Sequence, residues 1–178
     1  MDASFWDSRY SRPGYFYGTS PNAFVAGSAA LVPAGPVLCL AEGEGRNAVF
    51  FARRGHPVTA MDQSAIGLAK AAQLAANHNV TLTTEVADLS YFSIQPNFWS
   101  AIVATFVHLP PPLRRSVHAR VAAGLRPGGV FLFEAYSPDQ VRYRSGGPVE
   151  QPELLVRLAD LRTEFPGLEL LVARELVR

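Results

Sequence analysis

Residues 37–48, Val-Leu-Cys-Leu-Ala-Glu-Gly-Glu-Gly-Arg-Asn-Ala, join an uncharged apolar run to a helix-forming stretch through glycines spaced G-x-G-x-x-A. Four apolar residues in a row, Val37 to Leu40, are the pattern of a strand buried on both faces, and such strands belong to parallel sheets. Gly43 permits the tight turn, and Gly45 lets a ligand approach the backbone closely. The chain repeats this alternation. Strands are expected at residues 36–41, 57–61, 80–86, 98–106, 130–135 and 168–173. Helices are expected at residues 21–31, 46–54, 64–77, 112–125 and 153–164, with Ser64 as an N-cap and Arg126-Pro127-Gly128-Gly129 as a turn. The order predicts an α/β fold: a Rossmann-like, doubly wound, mostly parallel sheet with helices on both faces. Ligands of such sheets sit at the carboxyl ends of the strands, where strand order reverses.

The acids after the glycine turn are spaced for a nucleoside. Asp62 closes the second strand nineteen residues after Gly43, where a carboxylate can accept both hydroxyls of a ribose. Asp88 ends the third strand region with Leu89 beside it. A carboxylate there can accept an adenine amino group while Leu89 packs on the ring. It can equally cap its own loop. The glycine turn and Asp62 also fit an NAD(P)-dependent oxidoreductase, although the chain has no Tyr-x-x-x-Lys pair.

Taken together, LCLAEGEGRNA, TAMDQS, VADLSYF and LRPGGVFLFEAYSP resemble the class I S-adenosylmethionine-dependent methyltransferases, in the order and spacing of that family. With WDSRY, YGTSPNAF and HLPPPLRR, the wording LAEGEGRN is similar to the branch of tellurite-resistance and thiopurine methyltransferase-like proteins, among them small bacterial, often cyanobacterial members. The resemblance implies S-adenosylmethionine as cofactor. It places Gly43 and Gly45 at its methionine end on a loop organised by Glu42, Asp62 and Gln63 at the ribose, and Asp88 and Leu89 at the adenine. Thr105 and Phe106 fall where cofactor meets acceptor, and Trp6, Tyr10, Tyr17 and Asn22 fall in a lid. Residues 1–178 then form one domain, with a lid at 1–24, a cofactor-binding core at 36–135 and a substrate side at 136–178.

The residue chemistry suits these roles. A sulfonium cation is attracted to aromatic faces by about 0.5–2 kcal/mol per contact, and Phe5, Trp6, Tyr10, Tyr15, Phe16 and Tyr17 crowd one terminal segment. These rings can equally cover core at the sheet edge. Methyl transfer is an in-line displacement needing alignment and exclusion of water. A base is required only if the acceptor carries a proton. His108, after the fourth strand, is the candidate base, with a capping role as the alternative. His56, His78 and His118 are expected at the surface. Arg46, Arg142 and Arg144 can steady an anionic acceptor, and Cys39 is expected to pack. A metalloid oxyanion or a thiol is the expected acceptor. A cofactor-binding regulatory protein without turnover is the remaining alternative.

Composition narrows the partners. Sixteen basic and fifteen acidic residues leave a net charge of +1, which speaks against a nucleic-acid binder. One cysteine excludes an internal disulfide, suits the cytoplasm, and no cluster has metal-ligand spacing, so no metal is expected. Residues 23–41 are uncharged, but Pro33, Gly35 and Pro36 interrupt them, so no membrane span is expected. No secretory leader is expected either. A monomer or weak homodimer is the expected state. The family's sheet has a seventh, antiparallel strand between the fifth and sixth. Only residues 174–178 would follow strand six, so that strand is expected to be absent and a sheet edge open.

Overall fold

Five strands, all parallel, lie in the order β3-β2-β1-β4-β5 in the computed structural model, which describes residues 2–177. They are β1 (Val37–Leu40), β2 (Val58–Asp62), β3 (Thr83–Val86), β4 (Trp99–Thr105) and β5 (Leu125–Glu134). The helices are α1 (Ala3–Tyr10), α2 (Ala23–Ser28), α3 (Arg46–Ala52), α4 (Ala65–Asn77), α5 (Pro111–Gly124), α6 (Gln140–Tyr143) and α7 (Leu158–Glu164). Strand order reverses between β1 and β4, so the crevice at their carboxyl ends is the expected ligand position.

The period of two along the strands divides the core into two layers. Val37, Cys39, Val58, Ala60, Ala101 and Val103 face one side, against Val25 of α2, Ala48 and Phe51 of α3 and Leu68 of α4. Leu38, Leu40, Met61, Ile102 and Ala104 face the other, against Val117 and Val121 of α5 and Phe165 beyond α7. Cys39 is completely buried, and burial pushes its thiol well above its ordinary pKa. Ser64 caps α4 as its sequence predicts, accepting the Gly67 N–H at 3.0 Å.

Four expectations need correction. Residues 168–173 form no strand, and none follows β5 among the described residues. The run Leu168 to Ala173 has strand composition, but β5 pairs only with β4, and β pairing requires a neighbour as well as propensity. The helix expected at 153–164 shrinks to α7, preceded by a short 3-10 turn at Pro152–Leu154. Arg126-Pro127-Gly128-Gly129 lies within β5, taken up by a bulge where Trp99 pairs with Leu125 and Ala101 with Val130. His118 is not at the surface but 2% exposed. It sits on the inner face of α5 because Arg114, Val117, His118 and Val121 follow a helical repeat.

Candidate active site

The chain leaves β1 through Ala41 (φ 49°), Gly43 (φ 63°) and Gly45 (φ 92°), all left-handed. Glu42 turns its carboxylate across the start of α3, accepting the N–H groups of Asn47 at 2.7 Å and Ala48 at 2.8 Å. These are donors that a helix start leaves unpaired. Burial pushes the Glu42 carboxyl up to about 7 despite those two bonds. Glycine is required at Gly43, because a Cβ there would lie 2.5 Å from the Tyr10 hydroxyl.

Asp62 ties the first turn to the second. Its Oδ2 accepts the Gly43 N–H at 2.8 Å and its Oδ1 accepts the Ser64 N–H at 2.8 Å. The residue is 5% exposed, and burial raises its pKa against the pull of these backbone donors. Next to it, Gln63, Val86, Ala87 and Asp88 line a cleft of about 580 Å³, closed on one side by Asp2 and Ala3 at the start of α1. Asp88 is exposed. Its Oδ1 accepts the Ser90 N–H at 2.7 Å, which holds its carboxyl below the usual range. Leu89 is buried in the α5-side core, and Arg120 anchors this turn from beneath through the Leu89 carbonyl at 2.7 Å.

The amino-terminal segment lies over the glycine turn. Tyr10 is buried, stacked on Trp6 with ring centroids 5.6 Å apart, and burial raises its hydroxyl pKa. Asp7 accepts from the Ser64 hydroxyl. Arg9 lies over the rings of Phe5, Trp6 and Phe16 and donates to the Tyr17 hydroxyl at 3.0 Å. Asn22 caps α2 through Oδ1 and donates from Nδ2 to Glu134 Oε2 at 2.6 Å. Its backbone N–H donates to Asn47 Oδ1 at 2.9 Å, and Asn47 Nδ2 donates to the Thr105 hydroxyl at 3.2 Å. Asn22 and Thr105 are therefore brought together. Asn47 and Glu134, which join them, went unnoticed in the sequence. Asn47 had a signal, since it follows the glycine turn by two residues.

Beyond β4 the chain is aromatic. Phe106 adopts φ 57° and donates its N–H to the Glu134 carbonyl at 2.7 Å. A left-handed aromatic residue is strained, and such residues cluster at functional sites. Phe106 packs against Tyr136 at 4.8 Å between ring centroids, and His108 stacks on the same ring at 5.8 Å. Burial holds His108 below its ordinary pKa, so it is neutral at pH 7. Arg46 donates to the Tyr17 carbonyl at 3.2 Å. The Arg142 and Arg144 side chains are 80% and 72% exposed, each 3.9 Å from a carboxylate, Asp139 and Glu150. His56 is half-buried with its Nδ1 3.0 Å from the Gly35 carbonyl, and His78 is exposed at the end of α4. Among the described residues no group of His, Cys, Asp or Glu gathers as metal ligands, and no helix is long and apolar enough to cross a membrane.

This arrangement is that of a known family. A family model described as a methyltransferase domain matches residues 37–129, and the chain belongs to that family, the class I S-adenosylmethionine-dependent methyltransferases. It is 31% identical over 128 residues to 2-heptyl-1-hydroxyquinolin-4(1H)-one methyltransferase of Mycobacteroides abscessus, covering 67% of this chain and 55% of that protein. The chain thus spans about half the length of the curated relative it matches. A protein solved in work on the conversion of a disulfide bond into a thioacetal group during echinomycin biosynthesis superposes with a TM-score of 0.72, at 21% identity, over 92% of this chain and 77% of that one. Phosphoethanolamine N-methyltransferase 2 of Haemonchus contortus, in complex with S-adenosyl-L-methionine, superposes with a TM-score of 0.66, at 20% identity, over 90% of this chain and 39% of that one. These two likenesses concern the fold.

S-adenosylmethionine is the cofactor of this family, and the residues present fit it. The cleft volume of about 580 Å³ lies in the usual range for small-molecule sites. Gln63 and Asp88 line that cleft with an amide and a carboxylate, groups that can bond ribose hydroxyls and an adenine amino group.

Proposed function

We propose that the chain transfers a methyl group from S-adenosylmethionine to a small-molecule acceptor by in-line displacement. The observation that carries this reading is the pair of hydrogen bonds that Asp62 accepts from the Gly43 and Ser64 N–H groups, which ties the glycine turn to the end of β2 beside the cleft at Gln63. Bound S-adenosylmethionine supplies the electrophilic methyl group. Gly43 and Gly45 bind its amino-acid end on a loop held by Glu42. Asp62 and Gln63 bind the ribose, and Asp88 binds the adenine amino group, with Leu89 supporting that turn from the core. Thr105 and Phe106 border the methyl group. Trp6, Tyr10, Tyr17 and Asn22 exclude water as a lid. His108 takes the proton of an acceptor that carries one.

The acceptor is a metalloid oxyanion or a thiol, in keeping with the tellurite-resistance and thiopurine-like wording of the glycine turn. The two outward-turned arginines weigh against the oxyanion and in favour of the thiol. The hydroxyquinolone acted on by the mycobacterial relative makes a hydroxyl oxygen the second acceptor class to test. The protein works in the cytoplasm as a monomer or weak homodimer.

Calorimetric titration with S-adenosylmethionine, S-adenosylhomocysteine and NAD, each alone, tests the reading. Binding of the first two without NAD is expected. NAD binding alone would return the chain to the oxidoreductases. Cofactor binding without S-adenosylhomocysteine release, across tellurite, thiol and hydroxyquinoline acceptors, would favour a regulatory protein.

A further inference from the structure

Lys70 is the only lysine of the chain and lies outside every motif named above. It stands on α4, facing the glycine turn. Its Nζ donates to Glu44 Oε1 at 2.8 Å, to the Arg12 carbonyl at 2.8 Å and to the Gly14 carbonyl at 2.6 Å. The second oxygen of Glu44 accepts the Phe16 N–H at 2.6 Å. Glu44 is the residue between Gly43 and Gly45, and only 5% of it is exposed. One ammonium and one carboxylate therefore join the glycine turn, α4 and residues 12–16. Those residues contain no helix or strand of their own. The bonds are charge-assisted, hence stronger than neutral ones, and a buried carboxylate tolerates poorly the loss of its cation.

We propose that Lys70 is a positioning residue that couples closure of the amino-terminal strap to the glycine turn, so that cofactor exchange requires Lys70 to release the Arg12 and Gly14 carbonyls. The inference rests on the cofactor reading above. Lys70 acts through Glu44 and does not touch the cofactor. With the strap closed, Tyr10 covers Gly43 and Glu44 is buried. With the strap open, Lys70 and Glu44 remain paired in water, where such a pair contributes little. The pair thus stays with the core as a seat to which the strap returns.

The test is the dissociation rate of S-adenosylhomocysteine, followed by stopped-flow tryptophan fluorescence, to which Trp6 of α1 contributes. Lys70→Met is expected to speed dissociation at least tenfold. Lys70→Arg, which keeps the charge and several donors, is expected to stay within threefold. Lys70→Met can unfold the protein by leaving Glu44 unpaired, so the double variant Lys70→Met with Glu44→Gln is measured beside it. A second readout needs no variant. Acetylation of Lys70 by N-hydroxysuccinimidyl acetate, read by mass spectrometry of its peptide, is expected to slow at least tenfold when S-adenosylhomocysteine is bound. Dissociation within twofold of the parent rate in both the folded variants, or acetylation indifferent to S-adenosylhomocysteine, overturns the inference alone. A parent protein that binds no S-adenosylhomocysteine overturns the cofactor reading and this inference with it.

Discussion

Asp62 holds Gly43: one carboxylate oxygen accepts the glycine N–H at 2.8 Å while the other accepts Ser64 N–H at the same distance. The turn after β1 and the turn after β2 therefore share a single support. Asp62→Ala leaves both donors without it, at about 1–3 kcal/mol for each buried group. S-adenosylhomocysteine affinity, measured by calorimetry, is expected to fall more than tenfold, with a lower urea midpoint. Asp62→Asn, which keeps one acceptor, is expected to fall between. Unchanged affinity in Asp62→Ala would remove this residue from the ribose side.

Glu42 should make stability fall with rising pH. Its folded pKa is about 7, against an ordinary value of 4.5. Between those values the folded protein holds a proton that the unfolded chain has released, so stability declines as pH rises through the window. Glu42→Gln keeps an oxygen for the Asn47 and Ala48 N–H groups and does not ionise. Its stability relative to the parent is expected to improve by about 2–3 kcal/mol between pH 5 and pH 8, by urea unfolding. Parallel pH profiles would show that Glu42 titrates normally.

The contact between Gly43 and Tyr10 can be measured as a coupling. Gly43→Ala puts a side chain on a left-handed residue and a Cβ 2.5 Å from the Tyr10 hydroxyl. A loss of about 1–3 kcal/mol is expected. With Tyr10→Ala in the same chain, the combined loss should fall short of the sum of the single losses by at least about 1 kcal/mol. Strict additivity would mean that α1 does not rest on the glycine turn.

The pairing of α5 with α7 centres on the Glu164 carboxylate. Glu164 accepts from Arg114 Nη2 at 2.7 Å and lies 2.6 Å from His118 Nδ1, with all three side chains nearly buried. Burial acts to raise the Glu164 pKa, but the bonds and charges of Arg114 and His118 together outweigh it and hold the carboxyl below the usual range. Glu164→Ala is expected to cost about 3–5 kcal/mol in urea unfolding, because it leaves the buried Arg114 with only the more distant Asp160 carboxylate at 3.9 Å. Burial also holds His118 below 6.5. The unfolded chain therefore takes a proton first, and stability is lost as pH falls below about 6.5. His118→Phe should flatten that acid limb.

His108 is neutral at pH 7 because burial lowers its pKa. With an acceptor that binds as a protonated nucleophile, kcat is expected to rise with pH and level off below pH 6.5. His108→Gln should remove that limb and lower the plateau by about 10²–10⁴-fold. A pH profile identical to the parent's would leave His108 as a ring stacked on Tyr136.

Much of the fold was legible because it is local. The run Val37 to Leu40, the left-handed glycines and the Ser64 cap are each fixed by neighbours in sequence. The expected strand at 168–173 failed for a non-local reason, since an apolar run becomes a strand only where a neighbour offers a ladder. His118 was misread although its signal was present: the repeat of Arg114, Val117 and Val121 placed it inward. In the site, Asp62 at the end of β2 could be picked out by its spacing from Gly43. Lys70 with Glu44, and Asn22 with Glu134, could not, because 26 and 112 residues separate the partners and only the sheet order brings them together.

The strap bonds carry a consequence for synthesis. Lys70 reaches back 58 residues to Arg12 and 56 to Gly14. On a ribosome, the strap with its exposed Phe5, Phe16 and Tyr17 emerges long before the side chain that receives it. At about 5–20 residues per second that interval is roughly 3–12 s. During that time the rings have no seat, and the nascent segment is at its most adhesive before the glycine turn and α4 exist to receive it.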